Sequence, residues 1–328
     1  MIFRRARVVG LILGAGLFGW AVAAVGWPSI WQELRRFSWR MVPILAFYLV
    51  IFGLDTWGWR YAFSRQHQTA PWRSLFLARM AGEAVNYVTP LAWVGGEPVK
   101  AYLLAKRHGV PMTAGVSSVV IAKTTLTVGL LLFALCGIGL AIGHSPLSST
   151  ILRLSWGVLG GLGIVIGGFM LSQRWGLFRR LGPLVRRMVG PQLAPTGAQG
   201  HEIDEAIRRF YRCERGRLAL SVGFHFLGWV AGVVEVWLIL RFLGIPVTIV
   251  QAWIIESLWQ LLKAGAFLIP AGVGAQEGGA ILICVGLGFS IPSGLAMAIV
   301  RRIRELFWTA IGLLVWSRYE AVPVTVPG

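Results

Sequence analysis

Six apolar runs, each long enough to cross a bilayer, constrain this chain more than any other feature. They fall at about 8–27, 41–63, 112–142, 151–172, 217–243 and 292–317, set against the roughly 20 residues a helix needs to span the hydrocarbon core. Two further apolar regions, about 74–108 and 249–290, are interrupted near their centres by Pro and Gly. Non-helical backbone at membrane depth is tolerated only where protein or a polar cavity surrounds it, so each is expected to be two half-helices meeting at a tip. The fold class that follows is an all-α polytopic membrane protein, with about six full transmembrane helices and two broken re-entrant helical hairpins.

Charge supports this reading. Only 13% of the 328 residues are charged while 56% are hydrophobic, and a soluble domain usually carries about 25% charged residues. The net charge of +18 is accounted for by arginines at cytoplasmic helix ends and attraction to anionic lipid headgroups, so nucleic acid is not an expected partner. With the hairpins treated as non-crossing, the basic segments "FRRAR", "SRQHQTAPWR", "AKRHG" and 173–216 all fall on one side. That side is cytoplasmic, as are both termini. "WQELRRFSWR" (31–40) is the exception and reads as an interfacial amphipathic helix. The N-terminal run reads as a retained first helix.

The chain is expected to be a single integral membrane domain, 1–328, with 173–216 as a basic cytoplasmic linker. Roughly forty residues cannot bury an independent catalytic core. Cys136, Cys213 and Cys284 make neither a disulfide framework nor a zinc site, and the five histidines are dispersed. HExxH, GxSxG and GxxxxGK[ST] are all absent from the sequence. No catalytic residue, metal or cofactor is expected, and a primary ATP-driven pump is disfavoured.

The two broken regions resemble each other. "PLAWVGGE" (90–97) and "PAGVGAQE" (270–277) are offset by 180, the offset that also pairs Asp55 with Glu235 and Trp57 with Trp237. One inserted residue extends the match to Pro111 with Pro292 and Lys123 with Arg304. Repeats at 41–142 and 217–317 follow. Two full crossings, 112–142 and 151–172, lie between span 41–63 and its counterpart 217–243, so the second copy enters the membrane in the opposite sense. Such inverted-topology repeats, in secondary transporters, place substrate near the midplane between the halves.

Ionisable residues inside the spans cost at least about 2.5 kcal/mol each on insertion scales and normally face a cavity or a partner. Asp55, Arg60, Glu83, Glu97, Lys123, Glu235, Glu256, Lys263, Glu277, Arg301, Arg302, Arg304 and Glu305 all fall in these segments. Lys123 and Arg304 each follow a proline by twelve residues, which places them about 18 Å along their helices. They read either as a cationic pair in a polar cavity or as members of internal ion pairs such as Arg301 with Glu305. At the first tip, Pro90, Gly95 and Gly96 end one half-helix and Glu97 opens the next, where negative charge is favoured. The same free N–H groups suit an anionic headgroup. For Gly95, Gly96, Gly272 and Gly274 the competing reading is close helix packing alone. Glu83 and Asn86 lie one turn apart, Lys100 lies just beyond the tip, and Lys263 stands in the place of Glu83 in the second copy. The candidate substrate-binding set is Glu83, Asn86, Pro90, Gly95, Gly96, Glu97, Lys100, Lys123, Pro270, Gly272, Gly274, Glu277, Arg301 and Arg304.

"AGEAVNYVTPLAWVGGEPVKAYLL", "VIAKTTLTVGLLLF" and "IPAGVGAQEGG" resemble the lysylphosphatidylglycerol synthase transmembrane-region family over about 5–320. Asn86, Pro90, Gly95, Gly96, Glu97 and Lys100 match its first motif, and Pro270, Gly272, Gly274 and Glu277 match the late one. The Trp- and Arg-rich sequence looks closest to the stand-alone subgroup associated with hopanoid biosynthesis. The resemblance implies a flippase-like lipid transporter of the bacterial inner membrane, its cargo an anionic phospholipid or a hopanoid-type lipid. The synthetase domain of bifunctional relatives is not expected, so the chain is not read as an enzyme. An intramembrane lipid-modifying enzyme, or a scaffold for cytoplasmic lipid-synthesis enzymes, are the alternatives. Homo-oligomerisation stays open.

Overall fold

Apolar length dictates the helices, and the helices are nearly all there is. The computed structural model describes residues 37–67, 70–88, 95–144, 149–180, 197–265 and 275–321, with 28, 31, 32 and 35 before them. Ten helices carry the architecture: α1 (Met41–Ala62), α2 (Trp72–Val88), α3 (Glu97–His108), α4 (Met112–His144), α5 (Ser149–Arg174), α6 (Gly197–Cys213), α7 (Arg215–Phe242), α8 (Ile249–Gly265), α9 (Ala275–Gly286) and α10 (Ile291–Ala321). No strand occurs among the described residues.

Four segments are both long and apolar enough to cross a membrane: Ser38–Ala62, Met112–Gly143, Ser149–Gln173 and Arg215–Phe242. These are four of the six expected crossings. The run at 8–27 lies outside the described residues. The last, α10, is one continuous helix of 31 residues, but Arg301, Arg302, Arg304 and Glu305 interrupt its apolar character. On α5, Leu154, Ile164 and Val165 are 66%, 78% and 67% exposed, the pattern of a helix whose solvent is lipid.

The broken regions resolve into short arms. α2 and α8 have 17 residues each, α3 and α9 have 12 each. A 12-residue helix reaches about 18 Å, short of the roughly 30 Å hydrocarbon core. Pro90, Pro270, Gly272 and Gly274, which were expected to form the tips, lie outside the described residues.

Two groups of four helices, α1–α4 and α7–α10, thus share one order: long, short, short, long. They cross-pack reciprocally. α1 lies against α7, α2 against α10, and α8 against α4. Two apolar cores form, one around Trp59, Leu75, Leu103 and Ile121 of the first group, the other around Val236, Ile255, Trp259 and Met297 of the second, which also takes in Met41 and Ile44 of α1 and Leu130 and Phe133 of α4.

The polar segment between them is anchored rather than independent. Ile203, Ile207 and Phe210 on one face of α6 are buried in the core of the first group, and α6 packs on α4 and α5. Asp204, 1% exposed, accepts from the backbone N–H groups of Phe178 (3.1 Å) and Arg179 (3.0 Å), capping the helical turn at 177–180. Removing a cap of this kind costs about 1 kcal/mol, and leaving buried donors unpaired adds to it. Asp204→Ala should therefore speed hydrogen exchange at the Phe178 and Arg179 amides several-fold. Unchanged exchange there would remove the cap from the account of this connection.

Candidate functional site

The α2–α3 arm is held by a backbone contact that side chains would forbid. Gly96 opens α3 and sits against Gly82 of α2; a Cβ on Gly96 would lie 1.8 Å from the Gly82 carbonyl oxygen. Glycine at both positions permits this approach. The Gly96 N–H then donates to Asn86 Oδ1 at 2.7 Å, and Asn86 Nδ2 donates to Glu97 at 3.1 Å. Asn86 therefore ties the two arms together near the tip.

Around that tie runs a continuous ion-pair chain. Asp55 on α1 meets Arg79 at 2.8 Å, and Arg79 lies 3.8 Å from Glu83. Glu83 meets Lys100 at 2.7 Å, Lys100 meets Glu97 at 3.1 Å, and Glu97 meets Lys123 of α4 at 3.2 Å. Three acids alternate with three bases, so the first network carries no net charge.

The second half builds its own. Glu235 on α7 pairs with Arg304 and lies 3.5 Å from Arg301. Arg301 meets Glu256 at 2.7 Å, and Gln260 donates to Glu256 at 2.6 Å. Arg304 lies 3.6 Å from Glu305, which also holds Lys263 (2.9 Å) and Arg302 (3.3 Å). Arg302 reaches Glu277 at 3.0 Å and donates to the Tyr87 hydroxyl at 2.9 Å. Four acids balance four bases. The Arg301–Glu305 pair expected from i, i+4 spacing is replaced by Arg301 with Glu256 and Glu235. Arg302, not Arg304, does for Glu277 what Lys123 does for Glu97.

Both networks face one cavity of about 270 Å³ between the two groups. Of the candidates, Glu83, Asn86, Lys123, Arg301 and Arg304 line it. Glu97 and Lys100 line an adjoining void of about 10 Å³. Gly95 and Gly96 form the turn into α3, and Glu277 is paired with Arg302. The residues that sequence reading passed over as site members are Asp55, Glu235, Glu256, Gln260, Lys263 and Glu305, all lining the cavity, with Arg79. Arg79, Glu83 and Asn86 fall at i, i+4 and i+7, a single helix face, and that spacing was the available signal for Arg79.

The cavity's donors are not all used. Arg301 is 3% and Arg304 4% exposed, yet Arg301 Nε and Nη1, Arg304 Nε and Arg79 Nε have no hydrogen-bond partner among the described residues. Buried guanidinium donors seek an acceptor, best a bidentate oxyanion. On the α1–α10 side the wall is aromatic. Trp308 donates to the Leu45 carbonyl (3.2 Å) across that seam, and Arg304 stacks 4.1 Å over Tyr48.

Comparison with known proteins places this architecture. The sequence profile described as "Lysylphosphatidylglycerol synthase TM region" matches residues 7–312. A "UPF0104 membrane protein" of Methanothermobacter thermautotrophicus is 25% identical over 250 residues, covering 72% of each chain. Its counterpart in Methanocaldococcus jannaschii is 24% identical over 248 residues, covering 74% of this chain and 72% of the relative. No solved structure matches.

Proposed function

The chain belongs to the lysylphosphatidylglycerol synthase transmembrane-region family, and on that premise we propose that it moves a lipid between leaflets, its headgroup passing through the central cavity while its tail stays in the bilayer. The observation that carries this reading is the cavity itself: two balanced ion-pair networks meet there, and Arg79, Arg301 and Arg304, which line it, each keep a buried guanidinium nitrogen without a hydrogen-bond partner among the described residues. A passive bundle gains little from so many buried charges. The guanidinium groups of Arg301 and Arg304 at the cavity wall suit the oxygens of a headgroup phosphate.

The matched order, lengths and reciprocal packing of α1–α4 and α7–α10 support an inverted-topology repeat, with the cavity at the repeat interface. We place the protein in a bacterial inner membrane with both termini cytoplasmic. The cargo is an anionic phospholipid or a hopanoid-type lipid with a polar head.

The test is reconstitution with fluorescent phosphatidylglycerol, followed by quenching of the outer leaflet. Lys123→Ala and Arg301→Ala should each slow transbilayer movement at least about tenfold, equivalent to about 1.4 kcal/mol at the barrier. Parent-like rates in both variants would sink the central-cation path. A new labelled species, in place of a change of leaflet, would point to a lipid-modifying enzyme instead.

A further inference from the structure

His225 is the one buried histidine among the described residues that touches either network. It is fully enclosed on α7, its ring lying so close to α1 that a Cβ on Gly58 would come within 2.7 Å of it. Nδ1 lies 3.2 Å from Asp55 Oδ1. A carboxylate only accepts, so Nδ1 carries the hydrogen and Nε2 keeps its lone pair. Nε2 has no partner among the described residues. His225 lines the void of about 10 Å³, room for about one water.

Charge around this imidazole is already balanced. Asp55 comes from α1, Arg79 and Glu83 from α2, Glu97 and Lys100 from α3, and Lys123 from α4. α8 and α10, which also pack on α7, bring their charges against Gly232 and Glu235, about two turns or more farther along. An anionic headgroup entering the shared cavity therefore adds a negative charge to a neutral set. Its entry draws Arg79 from Asp55, and the exposed Asp55 carboxylate then favours an imidazolium beside it.

We infer that the Asp55–His225 pair is a proton-binding site coupled to occupancy of the cavity by an anionic headgroup. The proton adds to the Nε2 lone pair, turning imidazole into imidazolium, while Nδ1 keeps its hydrogen and goes on donating it to Asp55. One proton enters with each anion and restores neutrality. Translocation of an anionic lipid thereby becomes linked to the proton gradient. The inference rests on the headgroup reading above.

The test is calorimetric binding of short-chain phosphatidylglycerol, and separately of inorganic phosphate, to the purified full chain in two buffers of different ionisation enthalpy. The parent should take up about one proton per anion near neutral pH, and its affinity should fall about tenfold per pH unit as pH rises. His225→Gln and His225→Asn should still bind but lose the uptake and the pH slope. Binding by the parent with no proton uptake overturns the inference and leaves the headgroup reading standing, as does uptake that survives both substitutions. Failure of the parent to bind either probe overturns both. Binding of phosphate alone, without the lipid, keeps the proton site but assigns it to a free anion.

Discussion

Gly96→Ala is expected to destabilise the protein severely. The added methyl would sit 1.8 Å from the carbonyl oxygen of Gly82 and 2.7 Å from its carbonyl carbon, and both atoms are backbone, so no side chain can step aside. One arm must move, which pulls the Gly96 N–H from Asn86 and Lys100 from Glu83. Overpacking alone costs about 1–3 kcal/mol, and breaking a buried charged contact about 3–5 kcal/mol. Together they come to about 4–8 kcal/mol, a large share of an ordinary folding stability of about 5–15 kcal/mol. Thermal unfolding in detergent reads the result directly, with Gly160→Ala as the control. A methyl added to Gly160 on α5 would meet nothing within 4 Å, and alanine there favours the helix. Equal melting temperatures for the two variants would show that the α2–α3 crossing is looser than described.

That crossing also marks how far sequence reading reached. Breakers and apolar length located both short-armed regions because Pro, Gly and hydrocarbon thickness act locally. Asn86 and the tip glutamates were legible for the same reason. Partner choice was not. An offset of 180, with one inserted residue, paired Lys123 with Arg304, yet α2 and its counterpart start 177 residues apart (72 and 249) and α4 and its counterpart 179 apart (112 and 291). Counted from the helix starts, Arg302 stands at the place of Lys123 and Gln260 at that of Glu83, with Lys263 at that of Asn86. Helical phase fixes which side chain faces a partner, and connections of unequal length reset that phase between elements. His225 and Asp55 come from helices 170 residues apart in sequence, and no local pattern predicts such a contact.

The pair of Glu235 with Arg304 should show the largest coupling in the molecule. Glu235 is fully buried and Arg304 nearly so. Glu235→Met leaves Arg304 with Glu305 at 3.6 Å as its remaining acid; Arg304→Met leaves Glu235 with Arg301 at 3.5 Å. Each single change strands a buried charge and is expected to cost about 3–5 kcal/mol. The double change removes both charges and fills the space with apolar volume, so it should recover most of that loss, ending within about 1–2 kcal/mol of the parent. Its lipid movement should nonetheless fall at least about tenfold, because the guanidinium that lines the cavity is gone. If the double variant loses as much as the two singles added together, the pair is not the coupled unit described. If it is stable and moves lipid at the parent rate, Arg304 lies off the path. A buried ion pair adds little net stability over well-packed apolar groups, so a stable but inactive double variant would mean that these charges are kept for passage of a headgroup.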